Sequence, residues 1–160
     1  EDFIKDNNVV EVKSTLKERH EHIINGIDQL LVLPERRKYI LSILLIRSAA
    51  NDYFTLPKLV SVISDTIRDN PQAYNSFFSK LHNRGYDPRD VNEYENYKYQ
   101  VVRGSFFSVN DSFPKLTSAE LIMPLSPRIS KVRYLVDLEG ITSIDFMDCQ
   151  DDVLRYILNL

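Results

Sequence analysis

Residues 2–15 read DFIKDNNVVEVKST, and the way this stretch folds decides what the rest of the chain can build. Two short apolar runs, Phe3-Ile4 and Val9 to Val12, flank Asp6-Asn7-Asn8. Asn and Asp tolerate positive φ, so the segment predicts a tight β-hairpin. Side chains alternate across a strand, which sets Glu11 and Lys13 on one face and Val10 and Val12 on the other. With Asn7-Asn8 as the loop, Ile4 faces Glu11 and Asp2 faces Lys13. Facing Cβ atoms in such a pair lie about 5 Å apart, so Asp2, Glu11 and Lys13 are expected to converge.

Outward from the hairpin, a polar stretch, KERHEH, leads into Ile23, Ile24, Ile27, Leu30 and Leu31, whose spacing predicts one face of a helix ending at Leu33-Pro34. The run YILSILLI, Tyr39 to Ile46, has the continuous apolar character of a strand buried on both faces in a parallel sheet. Strand, helical crossover and strand together predict a βαβ unit, right-handed by strong preference. Thr55 before Leu56-Pro57 reads as an N-cap with proline in the first turn of a helix carrying Leu59, Val60, Ile63 and Ile67. A second helix, Gln72 to Arg84, carries Tyr74, Phe77, Phe78 and Leu81 and closes at Gly85. Residues 97–109 and 131–138 alternate like antiparallel strands with one covered face. Ser112 to Pro127, with its prolines, is a connecting loop, and a short helix is predicted over 151–158.

A chain of 160 residues, 43% of them hydrophobic, suits a single domain over 1–160 with its own core. The net charge of -3 and pI near 5.6 exclude nucleic-acid binding by bulk positive charge, so any phosphate partner is held locally. The lone Cys149 makes no internal disulfide, and no Cys and His pair has zinc-ligand spacing, which fits a reducing, cytoplasmic setting. The longest apolar run is far short of the roughly 20 residues that cross a bilayer, and the start has no signal-peptide pattern; a soluble protein with no membrane partner is expected. The first residue is Glu1, and a strand follows almost at once, so an upstream segment is expected to be missing. Four unclustered glycines offer no phosphate-binding loop, which argues against ATP hydrolysis in this chain.

The chemistry follows from the hairpin. Two carboxylates, Asp2 and Glu11, with the carbonyl oxygen of Val12, form an all-oxygen set suited to Mg²⁺. Lys13 cannot ligate a cation, but it can orient a water or neutralise charge growing on a phosphoryl group. The combination matches phosphodiester hydrolysis. Thr15 shares the face of Glu11 and Lys13 and could donate to a scissile phosphate, or be a plain strand-end hydroxyl. Lys17, Arg19, His20 and His22 form a local positive patch able to touch DNA phosphates, against the alternative of a solvated loop balanced by Glu18 and Glu21. Arg36-Arg37-Lys38 and the set Arg128, Lys131 and Arg133 are further basic clusters that could line a groove.

Asp2, followed nine positions later by Glu11-Val12-Lys13, resembles the PD-(D/E)XK core of restriction-endonuclease-like nucleases. The order DF, VVEVKST, HIINGIDQL, a buried strand, then FPKLT and VRYLVDL resembles the bacterial PD-(D/E)XK motif proteins, which sit in phage-defence gene clusters beside ATPases and methyltransferases. The likeness spans most of the chain. It implies an α/β fold, a central mixed β-sheet flanked by helices, whose first helix, often the source of a further acidic residue, is missing here. It implies Asp2 and Glu11 as ligands of Mg²⁺ (or Mn²⁺), Lys13 as the catalytic lysine, and Gln29, on the crossover helix, as a polar group facing the metal. DNA is the implied substrate, with ATPase or methyltransferase subunits of a defence system as partners and a homodimer as a further option. The rival readings are a nuclease-fold module that docks on DNA or partner proteins without turnover, and an unrelated α/β interaction domain with a coincidental triplet.

Overall fold

The opening hairpin forms, with its turn one residue earlier than expected. In the computed structural model, which describes residues 3–48 and 53–146, strand β1 (Phe3–Lys5) runs antiparallel to β2 (Asn8–Thr15). Asp6 takes the positive φ of the turn, 51°, so Ile4 faces Val9 rather than Glu11. The expected pairing of Asp2 with Lys13 falls on a residue outside those described.

The polar-then-apolar stretch expected as a crossover helix is a strand. Glu21–Asn25 is β3, and residues 27–30 form a turn that precedes β4 (Arg37–Arg47). The β-branched pair Ile23-Ile24 favours extended backbone, and Gly26, at φ 126°, breaks any helical continuation. β2 and β4 are parallel as expected, Val10 beside Tyr39 and Lys13 beside Ser42, but the connection between them is no βαβ unit.

β5 (Tyr99–Ser108) lies beside β4, and the short β7 (Ile144–Asp145), not anticipated from sequence, adds an antiparallel edge with Phe106 opposite Ile144. The five-stranded order is β1-β2-β4-β5-β7, a mixed sheet. β6 (Arg133–Asp137) does not join it; it pairs antiparallel with β3 in a separate two-stranded ribbon, with Ile24 opposite Tyr134.

Both faces of the large sheet are covered, so β2 and β4 bury side chains on either side. On one face Val10, Tyr39, Leu41 and Phe106 cluster with Val12, Ile144 and Phe146. On the other, Ile40, Phe107 and Val109 pack against Ile24, Val136 and Leu138 of the ribbon and its flank. Ile40 meeting Phe107 while Leu41 meets Phe106 means that β5 runs antiparallel to β4, and the Val109 N–H donates to the Lys38 carbonyl at 2.9 Å. Along β3 the alternation is plain: His22 and Ile24 point inward, while Ile23 is 42% exposed opposite Leu135.

The described residues group into two compact units, one drawn from Glu1–Leu45 and Val101–Leu160, the other from Ile46–Gln100. The second holds the helices. α1 (Leu56–Thr66) starts where Thr55 Oγ1 accepts from the Lys58 N–H, and α2 (Pro71–Asn83) where Asn70 Oδ1 accepts from the Ala73 N–H at 3.0 Å. Gly85 closes α2 at φ 89°, and a short α3 (Val91–Glu95), not foreseen, lets Tyr94 stack on Tyr86 at 5.1 Å. The helix expected over 151–158 and Cys149 lie outside the described residues. Among the described residues no helix is long and apolar enough to cross a membrane.

Candidate active site

Glu11 sits at the middle of β2, 6% exposed, on the face covered by the ribbon. Its Oε1 receives two donors: Lys13 Nζ at 2.9 Å and Gln29 Nε2 at 2.6 Å. Burial by itself raises a carboxyl group. Positive charge, the hydrogen-bonded Lys13 ammonium foremost, outweighs that and holds Glu11 below its ordinary value. A carboxylate ionised in a largely buried place is what a cation site or a charged transition state requires.

Gln29 reaches Glu11 from the 27–30 turn, not from a helix. Its Oε1 accepts from the Asn25 N–H at 2.8 Å, so one side chain ties the end of β3 to the carboxylate on β2. The turn is anchored in its own right. Lys38 Nζ donates to the Gln29 carbonyl at 3.0 Å and to that of Leu31 at 2.9 Å. Lys38 is 5% exposed, which corrects its expected place in a DNA-facing cluster with Arg36 and Arg37. A buried ammonium needs such acceptors to offset its lost hydration.

His20 and His22 correct the sequence reading further. Both are buried, on the alternating positions that carry Ile24 inward, and neither presents an imidazole to a DNA backbone. Their rings meet one hydroxyl: Ser42 Oγ lies 2.6 Å from His20 Nδ1 and 2.5 Å from His22 Nε2. Burial foremost, then the neighbouring His20, Lys13 and Lys17, lowers the His22 pKa to about 4. Burial and then Arg103 lower that of His20, against the pull of Glu139.

The remaining patch residues are exposed and paired. Lys17 meets Glu21, and Arg19 bridges Glu21 and Asp137 at 3.3 Å each. Thr15 Oγ1 accepts from the Lys17 N–H at 3.1 Å, the role of a strand-end hydroxyl. Arg128, Lys131 and Arg133 are exposed. The oxygen donors Glu11 and Val12 are of the kind Mg²⁺ prefers. Asp2, the second carboxylate of the expected set, lies outside the described residues, and among those described no group of three His, Cys, Asp or Glu side chains gathers as a metal centre.

Sequence reasoning missed Ser42 and the anchoring role of Lys38. One signal was available: a polar side chain inside a doubly buried run must find a hydrogen-bond partner, and Ser42 interrupts YILSILLI.

Over residues 1–139 the chain matches the family model described as "Putative PD-(D/E)XK family member, (DUF4420)", and it belongs to that family. The mixed sheet and helices are consistent with an α/β restriction-endonuclease-like fold. The chain has no significant match among curated proteins or among solved structures.

Proposed function

We propose that this chain is the core of a divalent-metal-dependent nuclease hydrolysing DNA phosphodiester bonds within a restriction or phage-defence system. The observation that carries the reading is the buried, ionised Glu11 held jointly by Lys13 and Gln29 on a strand of the mixed sheet. Asp2, Glu11 and the Val12 carbonyl would hold the cation. A bound Mg²⁺ or Mn²⁺ would supply Lewis-acid stabilisation of the departing 3′ oxygen. Lys13 orients the attacking water and offsets charge growing on the phosphate, while Gln29 fixes the orientation of the Glu11 carboxylate. A bond forms from the water oxygen to phosphorus as the bond to the 3′ oxygen breaks; the water's proton passes to solvent and the 3′ oxygen takes one from it, leaving a 3′ hydroxyl and a 5′ phosphate.

Plasmid and single-stranded DNA incubated with the protein and Mg²⁺ or Mn²⁺, beside Lys13→Ala, test this. Metal-dependent cutting lost in the variant is expected; cutting that survives the substitution removes the mechanism. A second reading, a nuclease-fold module docking on partner proteins such as an ATPase or a methyltransferase without turnover, is favoured by the net charge of -3. It predicts binding without cutting under any metal.

A further inference from the structure

Ser42 is the residue of β4 paired with Lys13 in the parallel register, and it is fully buried. Its hydroxyl has one hydrogen to donate and lone pairs to accept with. If both facing ring nitrogens carried hydrogens, the Ser42 hydrogen would lack an acceptor among the described residues, a costly loss in a dry site. If neither did, one nitrogen would face the oxygen lone pair to lone pair. One ring therefore donates to Ser42 and the other accepts from it.

A second observation sets the direction. Among the described residues, His20 Nε2 is buried without a hydrogen-bond partner. An orphaned N–H there is costlier than a bare ring nitrogen, so the His20 hydrogen belongs on Nδ1. Ser42 accepts it and gives its own hydrogen to His22 Nε2, which leaves His22 protonated on Nδ1 alone. Both rings are then neutral. Among the charged groups facing them, Arg103 from β5 at His20 and Lys13 from β2 and Lys17 at His22 favour that state, while Glu139 beyond β6 opposes it at His20. The edge-to-face contact of His20 with Phe107, centroids 5.4 Å apart, adds an apolar neighbour.

We propose that His20, Ser42 and His22 form an uncharged hydrogen-bonded wall beside Lys13, and that Ser42 and His22 are positioning residues for its ammonium. The wall offers Lys13 no carboxylate, so Nζ turns to Glu11 Oε1. A cationic His22 would repel the ammonium. The catalytic side of this inference rests on the nuclease reading; the tautomer side does not.

Long-range ¹⁵N–¹H NMR of His20 and His22 in the whole chain reads each tautomer directly. Both rings are expected in the Nδ1–H form and uncharged at pH 7, with His22 still neutral at about pH 5. Ser42→Ala should return both rings to mixed tautomers, move the Lys13 Nζ resonance, and lower kcat for DNA cleavage about tenfold or more with KM little changed. Ser42→Thr keeps the hydroxyl and should restore all three readouts. If Ser42→Ala does not fold, His22→Gln carries the same reading at His20 and Lys13. An Nε2–H ring in the wild type overturns the wall. In Ser42→Ala, unchanged kcat overturns positioning, and where the wild type cuts nothing an unmoved Lys13 resonance does so instead. Lys13→Ala separates the ideas, since it should abolish cutting and leave the ring pattern intact. A wild-type chain that never cuts, with rings and lysine behaving as described, sinks the nuclease reading alone.

Discussion

Glu11 keeps its charge where burial works against it, and the Lys13 ammonium is foremost among the groups that make that possible. Gln29 matters beyond its own bond, because it also satisfies the Asn25 N–H. Gln29→Leu should therefore lower cleavage about 10–100-fold, as loss of a partner that orients a site ligand does, and lower stability by about 1–3 kcal/mol. Enzyme kinetics and urea unfolding check the two halves. His22 links the same neighbourhood to pH. Its pKa falls from an ordinary 6.5 to about 4, so below 6.5 the unfolded chain takes up the proton first. Stability is full above that ordinary value and is lost as pH falls towards about 4. His22→Gln should flatten the loss, compared by urea midpoints at neutral and acid pH; equal slopes would count against the buried neutral ring. At this scale the sequence was partly readable. The Glu11-Val12-Lys13 triplet stood out because carboxylate and ammonium alternate onto one face, whereas His20 and His22 hid among charged neighbours that made KERHEH look solvated.

The misread element was β3. Ile23, Ile24, Ile27, Leu30 and Leu31 satisfy a helical period, yet the helix fails at Gly26, and the apolar residues divide between a strand and a turn. Pattern alone cannot separate these, because a strand followed by a tight turn places apolar residues at the same intervals. Long-range pairing with β6 decides the matter, and that pairing leaves no local trace. By contrast β4, α1 and α2 were legible, since a doubly buried strand and two capped helices carry their signals within a few residues. The alternation of β3 makes a contrasting pair of predictions. Ile24→Ala, at a fully buried position, should cost about 2–5 kcal/mol. Ile23→Ala, 42% exposed, should stay within about 1 kcal/mol. Urea unfolding of both variants is the measurement, and equal costs would contradict the strand.

In the molecule as a whole, the proposed ion site offers a readout that needs no substrate. If Asp2 and Glu11 hold Mg²⁺ or Mn²⁺, the metal at a hundredfold excess over its Kd should stabilise the fold by about 2.7 kcal/mol. Thermal melts with and without metal should show the rise in the wild type and not in Glu11→Gln. The unit that carries Glu11 is gathered from both sides of the inserted stretch Ile46–Gln100. Its ribbon joins Ile23 to Leu135, partners separated by most of the chain. Because β3 takes β6 as its partner strand, the ribbon covering the face of Glu11 can close only once β6 has been made. Distant closure of this kind is slow and comes late. Should the proposed nuclease function hold, a copy truncated before β6 would lack the strand that completes this ribbon and is expected to cut less well than the whole chain.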